Sequence, residues 1–313
     1  MGEALDLPPG GRAWDRTLAL RAADGVRLRG ALWEGGGRGL VLLLQGRTEF
    51  LERCALPAAG LVERGFSVAS VDWRGQGLSD RLIDEPLKGH AARFTDYHLD
   101  LAALVAHPAV ADQPEPVLML GHSMGGAIGL GAVLRGRLAP RAAIVSAPMF
   151  GIKLSRGMRL ASRVTLGAAR LARRLERWPP FAPANQPVDK PYVFNGFADN
   201  LLTGDRSVFD WNAAALRRQP AYQVAMPTLS WLHQVFAEIA WLGRQGPPGC
   251  PGLCLLGSQE AVIDPAAVRA GAARMGLELA EIEGGRHEVL IEAEPMRARA
   301  WAAVDGFLAG QGL

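Results

Sequence analysis

The stretch "VLMLGHSMGGA" (117–127) offers the clearest chemistry in the chain. A serine hydroxyl is a weak nucleophile until a neighbouring base takes its proton, and it must also stand clear of the backbone. An apolar strand, then Gly-His-Ser-Met-Gly, then a helix of small residues would raise Ser123 on a tight strand-to-helix turn. Gly121 and Gly125 let the chain pass close by on either side. Five letters of this kind also recur by chance in glycine-rich turns. The buried strand before them and the small-residue helix after them make Ser123 the expected nucleophile.

Such a serine needs a base and an acid, and on strand-to-helix turns of this kind the chain order is Ser, acid, His. The histidines are 90, 98, 107, 122, 233 and 287, so only the last two follow Ser123. His233 falls in a helical stretch, "TLSWLHQVF", and is expected to be a packing or surface residue. His287 sits in "EGGRHEVLIE", a glycine-rich loop after the last predicted strand, and is the expected general base. For the acid there are two candidates in "GSQEAVIDP" (257–265), Glu260 and Asp264. Asp264 stands before Pro265 at the head of an alanine-rich helix, which is the pattern of an N-cap followed by proline at the first helical position. Glu260 has no such local duty. It is therefore the expected triad acid and Asp264 the expected cap, with the reverse assignment left open. The developing oxyanion would be held by the backbone amides of Arg47, in "LLLQGRTEF" (42–50), and Met124. The Arg47 side chain is expected in solvent.

These groups come from four distant stretches, so the elements around them must bring them to one edge. "TLALRA" (17–22) and "VRLRGALW" (26–33) read as a hairpin. The apolar runs 39–46, 66–72, 116–121, 141–148, 252–257 and 277–284 read as strands, several of them buried on both faces. Helices fall between them near 54–64, 95–106, 124–135, from 265, and near 295–309. The fold class is α/β, a mostly parallel sheet with flanking helices. The alternation stops between 148 and 251, far longer than the ~10–12 residues a crossover needs. The expected organisation is a core of 1–147 and 252–313, with 148–251 inserted as a helical cap over the carboxyl edge of the sheet, where open α/β sheets bind ligands. The cap holds 12 of the chain's aromatics (8 Trp, 3 Tyr and 10 Phe in all). They either line an acyl pocket or form the cap's own core.

The chain resembles α/β-hydrolases of the monoacylglycerol lipase and lysophospholipase group, the serine aminopeptidase-like "hydrolase 4" branch. "QGRTEF", "DWRGQGLSD" (72–80), "GHSMGG" and "GRHEVLIE" carry the resemblance, together with "DNLLTGDR" (199–206) and "MPTLSWL" (226–232) in the insertion. It implies a serine ester hydrolase that cleaves single-chain acyl esters, lysophospholipid or monoacylglycerol, through an acyl-enzyme on Ser123. There are two departures. The group writes His-Gly where this chain has Gln45-Gly46, so Gln45 is expected to replace a supporting hydrogen bond. The group's acid is commonly Asp where Glu260 stands, although Glu is familiar there among bacterial lysophospholipase-like members. "DWRGQGLSD" is expected to be a tight loop shaped by Gly75 and Gly77, without a catalytic group. Other readings are an acyltransferase or an esterase for small soluble esters, and, outside catalysis, a hydrolase scaffold used for binding.

Composition narrows the rest. The chain has 313 residues, and its formal net charge is only +3, which gives no reason to expect a nucleic-acid partner. Cys54, Cys250 and Cys254 form neither a disulfide framework nor a CxxC metal site, and no metal or cofactor is expected. The start has no basic and apolar signal-peptide pattern, and no apolar run approaches the ~18 residues of a membrane span. A cytoplasmic protein is expected. The charge is unevenly spread: residues 151–178 hold Lys153 and seven arginines against one acid, Glu176. Apolar residues recur there at three- and four-residue steps. This is either an ordinary cap helix or a basic flank that makes peripheral contact with the inner membrane surface.

Overall fold

The computed structural model describes residues 6–115, 117–153 and 196–313. Eight strands form one sheet: β1 (Arg16–Arg21), β2 (Arg27–Trp33), β3 (Leu40–Leu44), β4 (Ser67–Val71), β5 (Val117–His122), β6 (Ala142–Ser146), β7 (Gly252–Gly257) and β8 (Glu278–Ile282). Their spatial order is β1-β2-β4-β3-β5-β6-β7-β8. The β1–β2 and β2–β4 pairs are antiparallel, and every later pair is parallel. Among the described residues the α-helices are α1 (Ala55–Glu63), α2 (Tyr97–Val105), α3 (Pro108–Ala111), α4 (Met124–Leu134), α5 (Arg206–Arg218), α6 (Leu229–Leu242), α7 (Pro265–Met275) and α8 (Met296–Gly310).

The central strands are apolar throughout because both faces of the sheet are covered. In β3, Leu40, Leu42 and Leu44 join one core with Ile128 of α4, Leu101 of α2 and Val268 of α7. The alternate residues Val41 and Leu43 join the other, with Leu61 of α1 and Trp301 and Phe307 of α8. This is the period of two expected of a pleated strand. Helix α4 lies so close to the sheet that Gly125 has no room for a side chain: a Cβ there would come within 2.0 Å of the Leu44 carbonyl oxygen. The small residues after Ser123 therefore let the helix sit directly behind the turn.

In the inserted stretch, α6 is tied to the core by a two-pronged ion pair. Arg135 donates to the Glu238 carboxylate at 2.7 and 2.8 Å and lies 3.4 Å from the centre of the Trp241 ring. Helix α5 packs Phe209, Ala213 and Leu216 around Phe50. Of the cap aromatics that could line an acyl pocket, Phe197, Trp211, Trp231 and Trp241 take part in packing, and Phe236 is half-buried on α6. Trp178, Phe181, Phe194 and nearly all of the basic segment 151–178 lie outside the described residues. Among the described residues, no helix is long and apolar enough to cross a membrane.

His98 on α2 is 3% exposed. Burial, and then the positive charges of Arg135 and Arg137, push its imidazole down to about 4. Burial and the nearby His287 push His122 down to about 3. In the unfolded chain both titrate near the ordinary value of 6.5. Between that value and the folded one, the unfolded state takes up protons that the folded state refuses. Stability is therefore complete above pH 6.5 and falls as the pH drops towards 4. At pH 5 each histidine is expected to cost about 2 kcal/mol relative to pH 7. Urea unfolding of the wild type and His98→Leu at both pH values checks this. The variant should lose less stability on acidification by about that amount; an identical loss would rule His98 out.

Candidate active site

Strain marks the edge where the predicted groups meet. Among the described residues, three besides glycines have positive φ: Thr48 (66°), Ser123 (50°) and Ala147 (45°). They follow the adjacent strands β3, β5 and β6 at their carboxyl ends. Backbone held in this sparsely populated region costs of order 1–3 kcal/mol per residue and persists only where the surroundings impose it. Ser123 is held by two bonds across the edge: its N–H donates to the Ser146 carbonyl at 2.9 Å, and its own carbonyl accepts from Met149 N–H at 3.0 Å.

His287 and Glu260 come together from the loops after β8 and β7. His287 Nδ1 lies 2.6 Å from Glu260 Oε2, and both side chains are buried. With a proton on Nδ1 donated to the carboxylate, Nε2 is the free acceptor that a serine base requires. Glu260 Oε1 accepts from the backbone N–H groups of Val262 (2.6 Å) and Ile263 (3.1 Å), so both of its oxygens are used. Burial alone would raise this carboxyl. The His287 hydrogen bond and charge, with the two amides, outweigh burial and hold it below the ordinary value. The two loops pack backbone to backbone, with Gln259 N–H donating to the Gly285 carbonyl at 2.9 Å. A Cβ on Gly257 would come within 2.1 Å of the Arg286 carbonyl oxygen. The His287 ring stands edge-on to His122, the residue before Ser123, with centroids 4.7 Å apart.

Asp264 is occupied elsewhere. Its Oδ1 accepts from Ala266 N–H at 3.0 Å, at the N-cap of α7 with Pro265 in the first turn.

Met124 opens α4, where the first amides have no partner within the helix. The other candidate amide, Arg47, lies in a loop braced by Gln76 and Trp73, which neither periodicity nor spacing singles out, and by the expected Gln45. Gln76 Nε2 donates to the Gly46 carbonyl at 2.9 Å, and Gln76 Oε1 accepts from Thr48 N–H at 3.3 Å. Trp73 Nε1 donates to the Gln45 carbonyl at 2.8 Å. Gln45 Nε2 in turn donates to the Val71 carbonyl (2.7 Å) and to Asp72 Oδ1 (3.1 Å). "DWRGQGLSD" is thus more than a loop shaped by glycines. Gly77 has φ 57°, and a Cβ there would fall 2.0 Å from the Asp72 carboxyl carbon. That turn lets Asp72 accept from Leu51 and Leu78 N–H, while Gln76 and Trp73 hold the oxyanion loop. Only the resemblance drew attention to this stretch, because neither side chain carries reactive chemistry. The Arg47 side chain is not in solvent as expected: its Nη2 donates to the Ala225 carbonyl and its guanidinium lies over Trp231.

Beside His122 lies a small, mainly apolar cavity lined by Leu43, Leu120, Leu290 and Ile291, with Glu49, Arg53, His122, Ser146 and Glu288 also on its wall. Arg53 and Glu288 form a buried ion pair at 2.5 Å. His122 Nε2, Ser146 Oγ and Glu288 Oε2 are buried there without hydrogen-bond partners among the described residues. Glu49, His122 and Glu288 could also offer ligand atoms to a metal, all within 4.8 Å of one another. The positive Arg53 guanidinium on Glu288 opposes a cation at this place.

Comparison with known proteins identifies the family. Residues 36–294 match the family model of the serine aminopeptidases, S33 (Hydrolase_4). Lysophospholipase L2 of Escherichia coli (strain K12) is 31% identical over 284 residues, covering 86% of this chain and 79% of that protein. A probable lysophospholipase L2 of Haemophilus influenzae is 28% identical over 277 residues, covering 88% and 85%. Among solved structures, a soluble variant of the Saccharomyces cerevisiae monoglyceride lipase superposes with a TM-score of 0.69 at 19% identity, covering 97% of this chain and 99% of that one. The monoacylglycerol lipase of Paleococcus ferrophilus gives 0.66 at 18% identity, covering 90% and 98%. At these identities the structural likeness speaks for the fold. With its eight-stranded, mostly parallel sheet and a family match over most of its length, the chain is an α/β-hydrolase belonging to the serine aminopeptidase S33 (Hydrolase_4) family.

Proposed function

We propose that the protein is a serine ester hydrolase acting on single-chain acyl esters, lysophospholipids or monoacylglycerols, with Ser123, His287 and Glu260 as its triad. The observation that carries this reading is the buried 2.6 Å His287–Glu260 pair beside the strained turn at Ser123. His287 Nε2 takes the serine proton as Oγ attacks the acyl carbon. The Arg47 and Met124 amides hold the oxyanion of the tetrahedral intermediate. As the intermediate collapses, the proton passes from His287 to the departing alcohol. Water, activated by the same imidazole, then releases the fatty acid and regenerates the serine. Glu260 stays ionised and stabilises the imidazolium in both halves. Residues 148–251 form a cap that excludes water and shelters an apolar chain. The lipid class is supported by the lysophospholipase L2 relatives. The basic stretch 151–178, eight cationic side chains against one acid, would hold the cap at an anionic membrane surface, where such lipids reside.

The test is one panel of substrates: p-nitrophenyl esters of increasing length, lysophosphatidylcholine and monoacylglycerol, with the two lipids presented in anionic and in neutral vesicles at low and high salt. Turnover of both lipids well above that of short esters is expected, faster on anionic vesicles and slowed by salt. Activity on short esters alone would overturn the lipid assignment, and equal, salt-insensitive rates on both vesicle types would overturn the membrane contact.

A further inference from the structure

The reaction uses the backbone of Arg47 and leaves its side chain unexplained. The buried arginines Arg53 and Arg74 and the partly buried Arg29 and Arg135 pair with carboxylates: Glu288, Asp24 and Asp100, Asp72 and Glu52, and Glu238 respectively. That is the usual condition for taking a guanidinium out of water, because an unpaired buried charge is costly. Arg47 has no such partner among the described residues. Its Nη2 donates to the Ala225 carbonyl, a neutral acceptor. The guanidinium carbon lies 5.1 Å from the centre of the Trp231 ring. Gly89 also lies close, and a Cβ there would come within 3.0 Å of Nη2. The Nε is buried with no hydrogen-bond partner among the described residues. Burial pulls the group down to about 10 with little to oppose it.

The result is a cation fixed in orientation by a carbonyl and an indole, with donors still to be satisfied, on the residue whose amide would face the oxyanion. Such a group is prepared for an anion. A guanidinium whose fork is already held loses little freedom when it binds, and its geometry matches a phosphate. Between the two lipid classes, the difference is anionic. A lysophospholipid carries a phosphodiester three glycerol carbons from the scissile ester, a separation comparable to the reach of an arginine side chain; a monoacylglycerol carries a hydroxyl there. We propose that the Arg47 guanidinium binds the head-group phosphate of the substrate and biases the site towards lysophospholipids over neutral monoacylglycerols. The proposal rests on the ester-hydrolase reading above. Arg81 is the matched control, since it too lacks a carboxylate partner and buries a nitrogen, Nη1, without a hydrogen-bond partner among the described residues. It too donates to the cap stretch, through Nη2 to the Ala221 carbonyl, and through Nε to Pro86. It follows the braced loop 72–80 and is not on the oxyanion loop, so it tethers the same segment from a different place in the chain.

The experiment compares kcat/KM for lysophosphatidylcholine and a monoacylglycerol of the same chain length, in neutral mixed micelles, for the wild type, Arg47→Gln, Arg47→Lys and Arg81→Gln. In Arg47→Gln the lysophospholipid-to-monoacylglycerol ratio should fall about ten- to hundred-fold, the range of a charged hydrogen bond, and mainly through KM. Arg47→Lys, which keeps the charge but not the fork, should recover part of the ratio, and it carries the test if the glutamine variant does not fold. Arg81→Gln should leave the ratio where the wild type has it. An equal loss on both substrates in the Arg47 variants, or an equal shift of the ratio in Arg81→Gln, would mean a structural strut and overturn the proposal. A wild type that hydrolyses neither lipid would overturn the functional reading as well. A wild type active on both lipids, with an unchanged ratio in Arg47→Gln, would overturn this proposal alone.

Discussion

Ser123→Ala is expected to abolish ester turnover and labelling by a fluorophosphonate while leaving the melting temperature close to that of the wild type. Loss of the nucleophile in a triad hydrolase costs of order 10⁶ in kcat. The residual rate reflects the oxyanion amides and substrate binding, which the variant keeps. Folding should survive because the bonds that fix this residue are made by its backbone: the N–H to Ser146 and the carbonyl from Met149. Its left-handed φ of 50° is no worse for alanine than for serine, since both carry a Cβ. The measurements are kcat on a p-nitrophenyl ester, gel-based labelling and a thermal melt. Labelling that persists at another serine would move the nucleophile. A melting point far below that of the wild type would show that the hydroxyl has a structural duty.

Much of the fold was legible because each level of the sequence agreed with the next. Short continuous apolar runs such as 40–44 suit strands covered on both faces, and all eight predicted strands are present within about two residues of their expected limits. Asp264 was legible as a cap because the Asp-Pro pair at a helix start has a local cause, visible without tertiary structure. The bracing of the oxyanion loop was not legible in this way. Gln76 acts through the Gly46 carbonyl and the Thr48 amide, some thirty residues away in the chain, and a lone glutamine in a polar turn has no periodicity or chemistry to announce it. The same holds for Arg47. Its neighbours in sequence are polar, so a solvated side chain was the natural reading, but the carbonyl and indole that hold it come from residues 225 and 231 of the insertion. Long-range contacts between a loop and an inserted segment leave no pattern in either stretch alone.

Glu260→Gln should cost far more activity than Asp264→Asn, and the hydrogen bonds say why. Glu260 uses both oxygens as acceptors: Oε1 takes the Val262 and Ile263 amides, and Oε2 faces His287 Nδ1. Glutamine has one acceptor oxygen and one NH₂. The two backbone donors are fixed and claim the oxygen, so the NH₂ turns towards His287. Nδ1 must then accept, the ring proton moves to Nε2, and the imidazole presents a donor to Ser123 where a base is needed. Loss of the carboxylate also removes the charge that stabilises the imidazolium. A drop of order 10⁴ in kcat is the expected scale for this wrong-tautomer substitution. Asp264→Asn keeps a side-chain oxygen for Ala266 N–H, and asparagine caps helices about as well as aspartate. Its activity should stay within a few-fold of the wild type, and its stability should change by a few tenths of a kcal/mol, against ~0.5–2 kcal/mol for Asp264→Ala. Measuring kcat and melting temperature for all three variants separates the roles. If Asp264→Asn is the inactive variant, with an unchanged melting point, the acid of the triad has been assigned to the wrong carboxylate. If Glu260→Gln is inactive only because it is unfolded, the melt will show it, and the tautomer argument fails with it.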